Sequence, residues 1–278
     1  MDIQWYPGHM TKTLRAMQED IKLVDMLIEL RDARIPRSSC NPQIDKIAGN
    51  KPRVILLNKR DLANENETKK WISHFLEQGI KVQAINAKNK KEINDTKALI
   101  EEAGREKRER DKKRGILNRP FRIMVVGIPN IGKSTFINSF AKRSSAKTGD
   151  KPGVTRGKQW IRIGKTAELL DTPGILWPKF DDITVGRHLA ITGAIRDEIL
   201  PIEELAAELI KILKTDYPLA IEKRYEVSND DPVAVLTGIA EAKHLIKAGG
   251  EADITRAAVM LIDDLRGGRL GQITLERA

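Results

Sequence analysis

Eight residues, Gly127-Ile128-Pro129-Asn130-Ile131-Gly132-Lys133-Ser134, carry the most specific chemistry in the sequence. They fit G-x-x-x-x-G-K-[ST], a phosphate-binding loop. The glycines let backbone N–H groups close around phosphate oxygens, and a helix N-terminus adds a favourable dipole. In such a loop the lysine, here Lys133, reaches the β- and γ-phosphates, and the hydroxyl of Ser134 ligates Mg2+. Asn130, Ile131, Gly132 and Thr135 complete the expected cradle. The apolar run Ile123 to Val126 reads as a buried strand, and Thr135, Phe136, Ile137 and Phe140 as the start of a helix. Strand, glycine-rich turn and helix is the setting the motif requires.

A second group could read a base. Asn58-Lys59-x-Asp61 follows the apolar run Arg53 to Leu57. The Asp61 carboxylate offers two acceptors to the two donors of the guanine edge, N1–H and the 2-amino group. Adenine presents an acceptor at N1 and no 2-amino group, so it faces a carboxylate badly. Asn58 and the stem of Lys59 are expected to brace the base and the phosphate loop. Asn86-Ala87-Lys88, at the end of another strand, sits where a backbone N–H can meet guanine O6. Taken alone, each of these is also an ordinary strand-to-loop turn.

Two further positions belong with the phosphates. Asp171-x-x-Gly174 follows a strand, so Asp171 can hold Mg2+ through water and the Gly174 amide can meet the γ-phosphate, the arrangement of a nucleotide switch. Thr155, in a polar segment between the loop and Asp171, suits the second switch ligand of Mg2+. Asn130 admits two readings: it stabilises the loop, or it places K+ beside the phosphates, where the ion supplies charge otherwise brought by an arginine finger.

These are the signature elements of the Ras-like GTPase superfamily in a different order, because the base motif Asn58–Asp61 precedes the phosphate loop. The sequence therefore resembles a circularly permuted GTPase. With Trp5-Tyr6-Pro7-Gly8-His9-Met10 and Gly193-Ala194-Ile195-Arg196-Asp197-Glu198, it closely resembles the ribosome biogenesis GTPase A (YlqF/RbgA) family over almost its full length. Asn86-Ala87 departs from the Ser-Ala pair of ordinary GTPases. The resemblance implies an α/β fold: a permuted P-loop GTPase domain with a mostly parallel sheet over residues 1–178, then a smaller all-helical domain over 179–278 that binds ribosomal RNA. It implies GTP hydrolysis, stimulated by ribosomal particles, in assembly of the large (50S) subunit. It also implies a catalytic histidine at His9. In Ras-like enzymes a glutamine after D-x-x-G orients the attacking water; here Ile175 stands there, and a hydrocarbon cannot hold water.

The elements that must position these groups are legible as periodicity. Strands are expected at Val24 to Leu30, Arg53 to Leu57, Lys81 to Ile85, Gln159 to Ile163 and Thr166 to Leu170. Helices are expected up to Lys22 from a cap at Thr11 or Thr13, over 42–49, over Glu67 to Gln78 with Trp71, Ile72, Phe75 and Leu76 on its apolar face, and over Ile93 to Ala103. Beyond Pro178 the helices Glu203 to Leu213, Val233 to Ile246 and Ile254 to Leu265 follow. Strands alternating with helices before 178 indicate a parallel sheet.

Composition bounds the partners. The chain has 278 residues and a net charge of +10, with a pI near 9.6, which suggests a polyanion or simply a lysine-rich surface. Arg105, Lys107, Arg108, Arg110, Lys112, Lys113, Arg114 and Arg119 concentrate that charge in residues 104–119, as a solvated helix face or a strip for phosphates. Cys40 is the single cysteine, so no intrachain disulfide forms. No run is long enough to span a bilayer and no signal peptide opens the sequence, so a cytoplasmic monomer is expected. His9, His74, His188 and His244 lack ligand spacing, which leaves nucleotide-bound Mg2+, with K+ as a further candidate, as the expected metals. GTP and GDP, the large subunit and its RNA are the expected partners. A GTP-dependent RNA-binding switch with negligible turnover, or a membrane or cytoskeletal regulatory GTPase, are the alternatives.

Overall fold

The computed structural model describes residues 9–116, 119–144, 160–163, 167–177, 182–195 and 201–278, the side chains of residues 9–11 and 142–144 excepted. Apolar runs become strands, and those at the centre of the sheet are covered on both faces. The strands are β1 (Met26–Asp32), β2 (Arg53–Asn58), β3 (Lys81–Ala84), β4 (Phe121–Val126), β5 (Trp160–Ile163) and β6 (Ala167–Asp171). The sheet order is β3-β2-β1-β4-β6-β5, parallel except for the β5–β6 pair.

Register decides where the chemistry gathers. Asp32 pairs with Asn58 and Val125 with Asp171. Asp32, Asn58, Asp171 and the loop after Val126 therefore share the carboxyl edge of the sheet, where open α/β sheets bind ligands.

β1 runs two residues past the expected end at Leu30. Its charges can be buried because they pair: Arg31 donates to Glu29 at 2.7 and 3.2 Å, and its guanidinium lies 5.2 Å from the Phe75 ring centre. A buried pair of this geometry offsets its own desolvation.

The flanking helices are α1 (His9–Asp20), α2 (Pro42–Ala48), α3 (Glu65–Glu77), α4 (Lys90–Ala103), α5 (Arg105–Lys113) and α6 (Lys133–Ser144). Asn41, Asn64 and Asn89 cap α2, α3 and α4 with their side chains. α1 starts at His9, so Thr13 lies within it rather than capping it. Leu76 does not belong to the apolar face of α3: it is 55 % exposed, while Trp71 and Phe75 are buried.

The second half holds α7 (Ile183–Ile191), α8 (Ile202–Asp216), α9 (Ala220–Tyr225), α10 (Pro232–Ala242) and α11 (Ile254–Arg266). α10 ends before the expected Ile246, which pairs with Ala252 instead. One continuous set of buried apolar side chains runs from Ile28 and Val125 in the sheet through Leu189 to Leu209 and Leu261 in the helices. The expected boundary at Pro178 lies outside the described residues.

Candidate nucleotide-binding site

A cleft of about 480 Å³ opens at the carboxyl edge of the sheet. Its lining includes Asn58, Lys59, Asp61, Asn86 and Ala87 together with Asn130, Gly132 and Thr135. The expected base-reading and phosphate-binding groups, far apart in sequence, thus share one space.

Asn58 is the joint between them. Its Nδ2 donates to the Ile131 carbonyl at 2.7 Å, and its Oδ1 accepts from the Ala87 N–H at 3.0 Å. A Cβ on Gly132, at φ +94°, would run into Asn58 Nδ2, so this position requires glycine. Lys59 adopts the left-handed conformation, φ 62°, and its Nζ lies 3.0 Å from Asp32 Oδ2. Burial alone would raise the pKa of Asp32, but Arg34 and Lys59 hold it well below the usual carboxylate range. The Asp61 carboxylate lies on an exposed turn over the cleft, where two acceptors can face a base edge.

The amides of the segment 86–88 are engaged within the protein. Asn86 N donates to Glu92 Oε2 at 2.6 Å, Ala87 N to Asn58, and Lys88 N to Asn86 Oδ1 at 2.9 Å. Contact of Ala87 with a base oxygen would require its N–H to be shared with Asn58.

At the phosphate end, Lys133 opens α6 and Ser134 follows it, exposed at the helix N-terminus. Lys133 Nζ donates to the carbonyls of Gly127 at 3.1 Å and Ile128 at 2.9 Å. Burial pulls its pKa down to about 8, against the opposing attraction of Asp171. Burial likewise raises that of Asp171, with Lys133 opposing. Asp171 ends β6, and a Cβ on Gly174 would sit 2.7 Å from Pro129 Cα and 2.9 Å from Lys133 Nζ, so Gly174 lies directly against the Gly127–Ser134 loop. A hydroxyl at Ser134 and a carboxylate at Asp171 are the hard oxygen donors that Mg2+ takes. Among the described residues no cluster of His, Cys, Asp or Glu could hold another metal. Thr155, the remaining expected Mg2+ ligand, lies outside the described residues.

Ile175, in the place of the water-orienting glutamine, is buried beside Met17 and Ile21 at the end of α1. Its N–H donates to Gly127 O at 3.3 Å and its carbonyl accepts from Asn41 Nδ2 at 2.9 Å. A second cleft, about 290 Å³, separates Lys12, Thr13 and Ala16 of α1 from Asp171, Thr172 and Pro173. His9 begins that helix, and its side chain is outside the described residues.

Arg34, Thr192 and Arg266 line the site without a motif to announce them. Arg34, 1 % exposed, donates to both Asp32 oxygens at 2.9 and 2.8 Å and lines the cleft. Thr192, Gly193 and Arg266 add a wall from the helical half. Asn130 Nδ2 donates to Gly193 O at 3.0 Å, and Arg266 donates to the Ala190 and Ile191 carbonyls at the end of α7. The run Asp32-Ala33-Arg34 at a strand end was the available signal for Arg34.

The basic strip divides. Lys107 and Arg119 are ion-paired with Asp25, and the Arg108 guanidinium lies 4.7 Å from the Phe121 ring centre. Arg105, Arg110, Lys112, Lys113 and Arg114 are exposed.

A family model described as "50S ribosome-binding GTPase" matches residues 122–236, beginning in β4 and leaving Asn58–Asp61 outside. The chain is 45% identical to ribosome biogenesis GTPase A of Bacillus cereus over 99% of its own length and 94% of that protein's. It is 43% identical to the Bacillus pumilus protein of that name, over 100% and 99%. A GNP-bound structure of YlqF from T. maritima superposes with a TM-score of 0.69 at 26% identity, covering 96% of this chain and 98% of that one.

Proposed function

The chain belongs to the ribosome biogenesis GTPase A family, and from that premise we propose that it binds GTP at the cleft between Asp61 and Lys133 and hydrolyses it while assisting assembly of the large ribosomal subunit. The observation that carries the reading is the single cleft in which Asp61, Asn58 and the phosphate loop meet. A base-reading carboxylate and a phosphate cradle tied by one asparagine are the parts of a guanine-nucleotide site. In this reading Ser134, Asp171 and Thr155 would hold Mg2+, which would supply positive charge to the phosphates.

Hydrolysis needs a partner for the attacking water that Ile175 cannot be. We assign it to His9, on the helix that shares a cleft with Asp171–Pro173. An imidazole accepts a proton near neutral pH. Stimulation by ribosomal particles would then consist of setting α1 over the phosphates. Asn130 donates its amide to Gly193 O, which leaves its own carbonyl oxygen as the group that would hold K+ in this reading. Equal hydrolysis in K+ and Na+ buffers would remove that ion.

Residues 1–178 act as the GTPase domain and 179–278 as the RNA-binding domain, in a cytoplasmic monomer. Among the described residues no helix is long and apolar enough to cross a membrane. The deciding experiment is GTP turnover with and without purified large subunits. Stimulated turnover supports the reading; binding without stimulation leaves a passive switch, and co-sedimentation with liposomes in place of subunits replaces the partner.

A further inference from the structure

The segment that follows α11 crosses the carboxyl edge of the sheet beside the base-reading turn. Gln272 Nε2 donates to the Asp61 carbonyl at 3.3 Å, Ile273 N to Leu62 O at 2.9 Å, and Asn64 N to Thr274 Oγ1 at 3.0 Å. Leu275 N then donates to Arg34 O at 2.8 Å. Three backbone positions from Asp61 to Asn64, and the residue whose guanidinium grips Asp32, are therefore held by residues 272–275. Asp32 in turn holds Lys59.

Glu276 pins this segment. It is 4 % exposed, and its carboxylate accepts the N–H groups of Arg37 at 2.7 Å and Ser38 at 3.0 Å, takes the Ser38 hydroxyl, and lies 3.1 Å from His188 Nδ1. A buried carboxylate with this many donors is costly to disturb, because each donor is left unsatisfied without it. Its bonds join the loop after β1 to α7, and its backbone carbonyl accepts from Trp71 Nε1 of α3 at 3.3 Å.

We propose that Glu276 is a positioning residue for guanine recognition: by anchoring residues 272–276 it sets the turn from which Asp61 meets the base edge. The inference rests on the assignment of Asp61 to guanine. It makes the specificity of the GTPase half depend on chain that lies after the whole helical half, so movement of those helices reaches the base through Gln272 and Ile273.

A double-mutant cycle on GDP binding tests it, using Asp61→Asn, Glu276→Gln and the double variant in the full chain. If Glu276 acts through Asp61, Glu276→Gln weakens GDP about tenfold in the wild-type background and less than about twofold in the Asp61→Asn background. A role in general folding would weaken both backgrounds equally, and that result overturns the proposal. So does unchanged GDP affinity in a folded Glu276→Gln chain. Should Glu276→Gln fail to fold by circular dichroism, the exposed Gln272→Ala decides the same comparison, with about threefold loss confined to the wild-type background. Asp61→Asn alone must exchange GDP for XDP preference. An unchanged preference overturns the guanine assignment together with this inference, whereas exchanged preference with additive losses overturns the inference alone.

Discussion

Asn58 Nδ2 and the Ile131 carbonyl are 2.7 Å apart although 73 residues separate them in sequence. One side-chain amide thus ties the Asn58–Asp61 loop to the Gly127–Ser134 loop. The same amide accepts from Ala87, so three segments are joined through one side chain.

Gly132→Ala should break this joint. The new methyl group meets Asn58 Nδ2 at a backbone conformation that side chains avoid. Strain and the lost hydrogen bond together cost about 2 kcal/mol, roughly thirtyfold in GDP affinity. In an Asn58→Ala background the same substitution should cost less, because nothing remains to clash with. Titration of a fluorescent GDP analogue against the four proteins measures both numbers.

Lys133 titrates at about 8, below its ordinary 10.5, because burial penalises the ammonium. Below pH 8 both folded and unfolded chains are protonated there, and the fold carries the whole cost of the buried charge. As pH rises from 8 towards 10.5 the unfolded chain holds more protons, so this group adds stability with rising pH. Bound phosphate favours the ammonium again. Nucleotide binding at about pH 8.5 should therefore take up most of a proton. Calorimetry in buffers of different ionisation heat reads that uptake, which should vanish in Lys133→Met.

The exposed end of α5 should carry salt-dependent attraction to the large subunit. Replacing Lys112, Lys113 and Arg114 by Gln is expected to lower affinity and flatten the log–log salt slope by about 2. Replacing Lys107 or Arg108 should instead lower the melting temperature, since those side chains serve Asp25 and Phe121. Co-sedimentation over a salt series separates the two; an unchanged slope would leave the exposed residues merely solvated.

His9→Ala should keep GTP affinity within a few-fold and lose at least about tenfold in subunit-stimulated kcat, a barrier higher by about 1.4 kcal/mol. Full stimulated turnover by a variant that still binds the subunit would sink the catalytic role.

The motifs were readable because each is short and contiguous. Gly127–Ser134, Asn58–Asp61 and Asp171–Gly174 put their chemistry in neighbouring residues, and strand ends placed them. Of the wall, Gly193 opens the contiguous run Gly193–Glu198, but Thr192 and Arg266 left no such trace. Arg34 touches Thr192 O at 3.4 Å across 158 residues, and a contact of that range imposes no local period. Glu29 and Arg31 hid the end of β1 for a related reason: their burial depends on each other, and a charge taken alone reads as solvent-facing. No spacing announces α7, because polar His188 sits buried on it against Ser38 and Glu276, partners far away in sequence.

The place of β4 in the sheet has a consequence for how the chain is made. β3, β2 and β1 are all synthesised before it, and β5 and β6 after it, while β4 pairs with β1 through Met26–Glu29 and with β6 through Ala167–Asp171. Until residues 121–126 leave the exit tunnel, the first half-sheet carries an apolar edge with open hydrogen-bonding groups, the kind of edge that recruits wrong strands. The strand that covers this edge leads directly into the phosphate loop. The phosphate loop therefore leaves the tunnel only after the strand that covers the exposed edge of β1, so the site is completed on a sheet whose first edge is already closed.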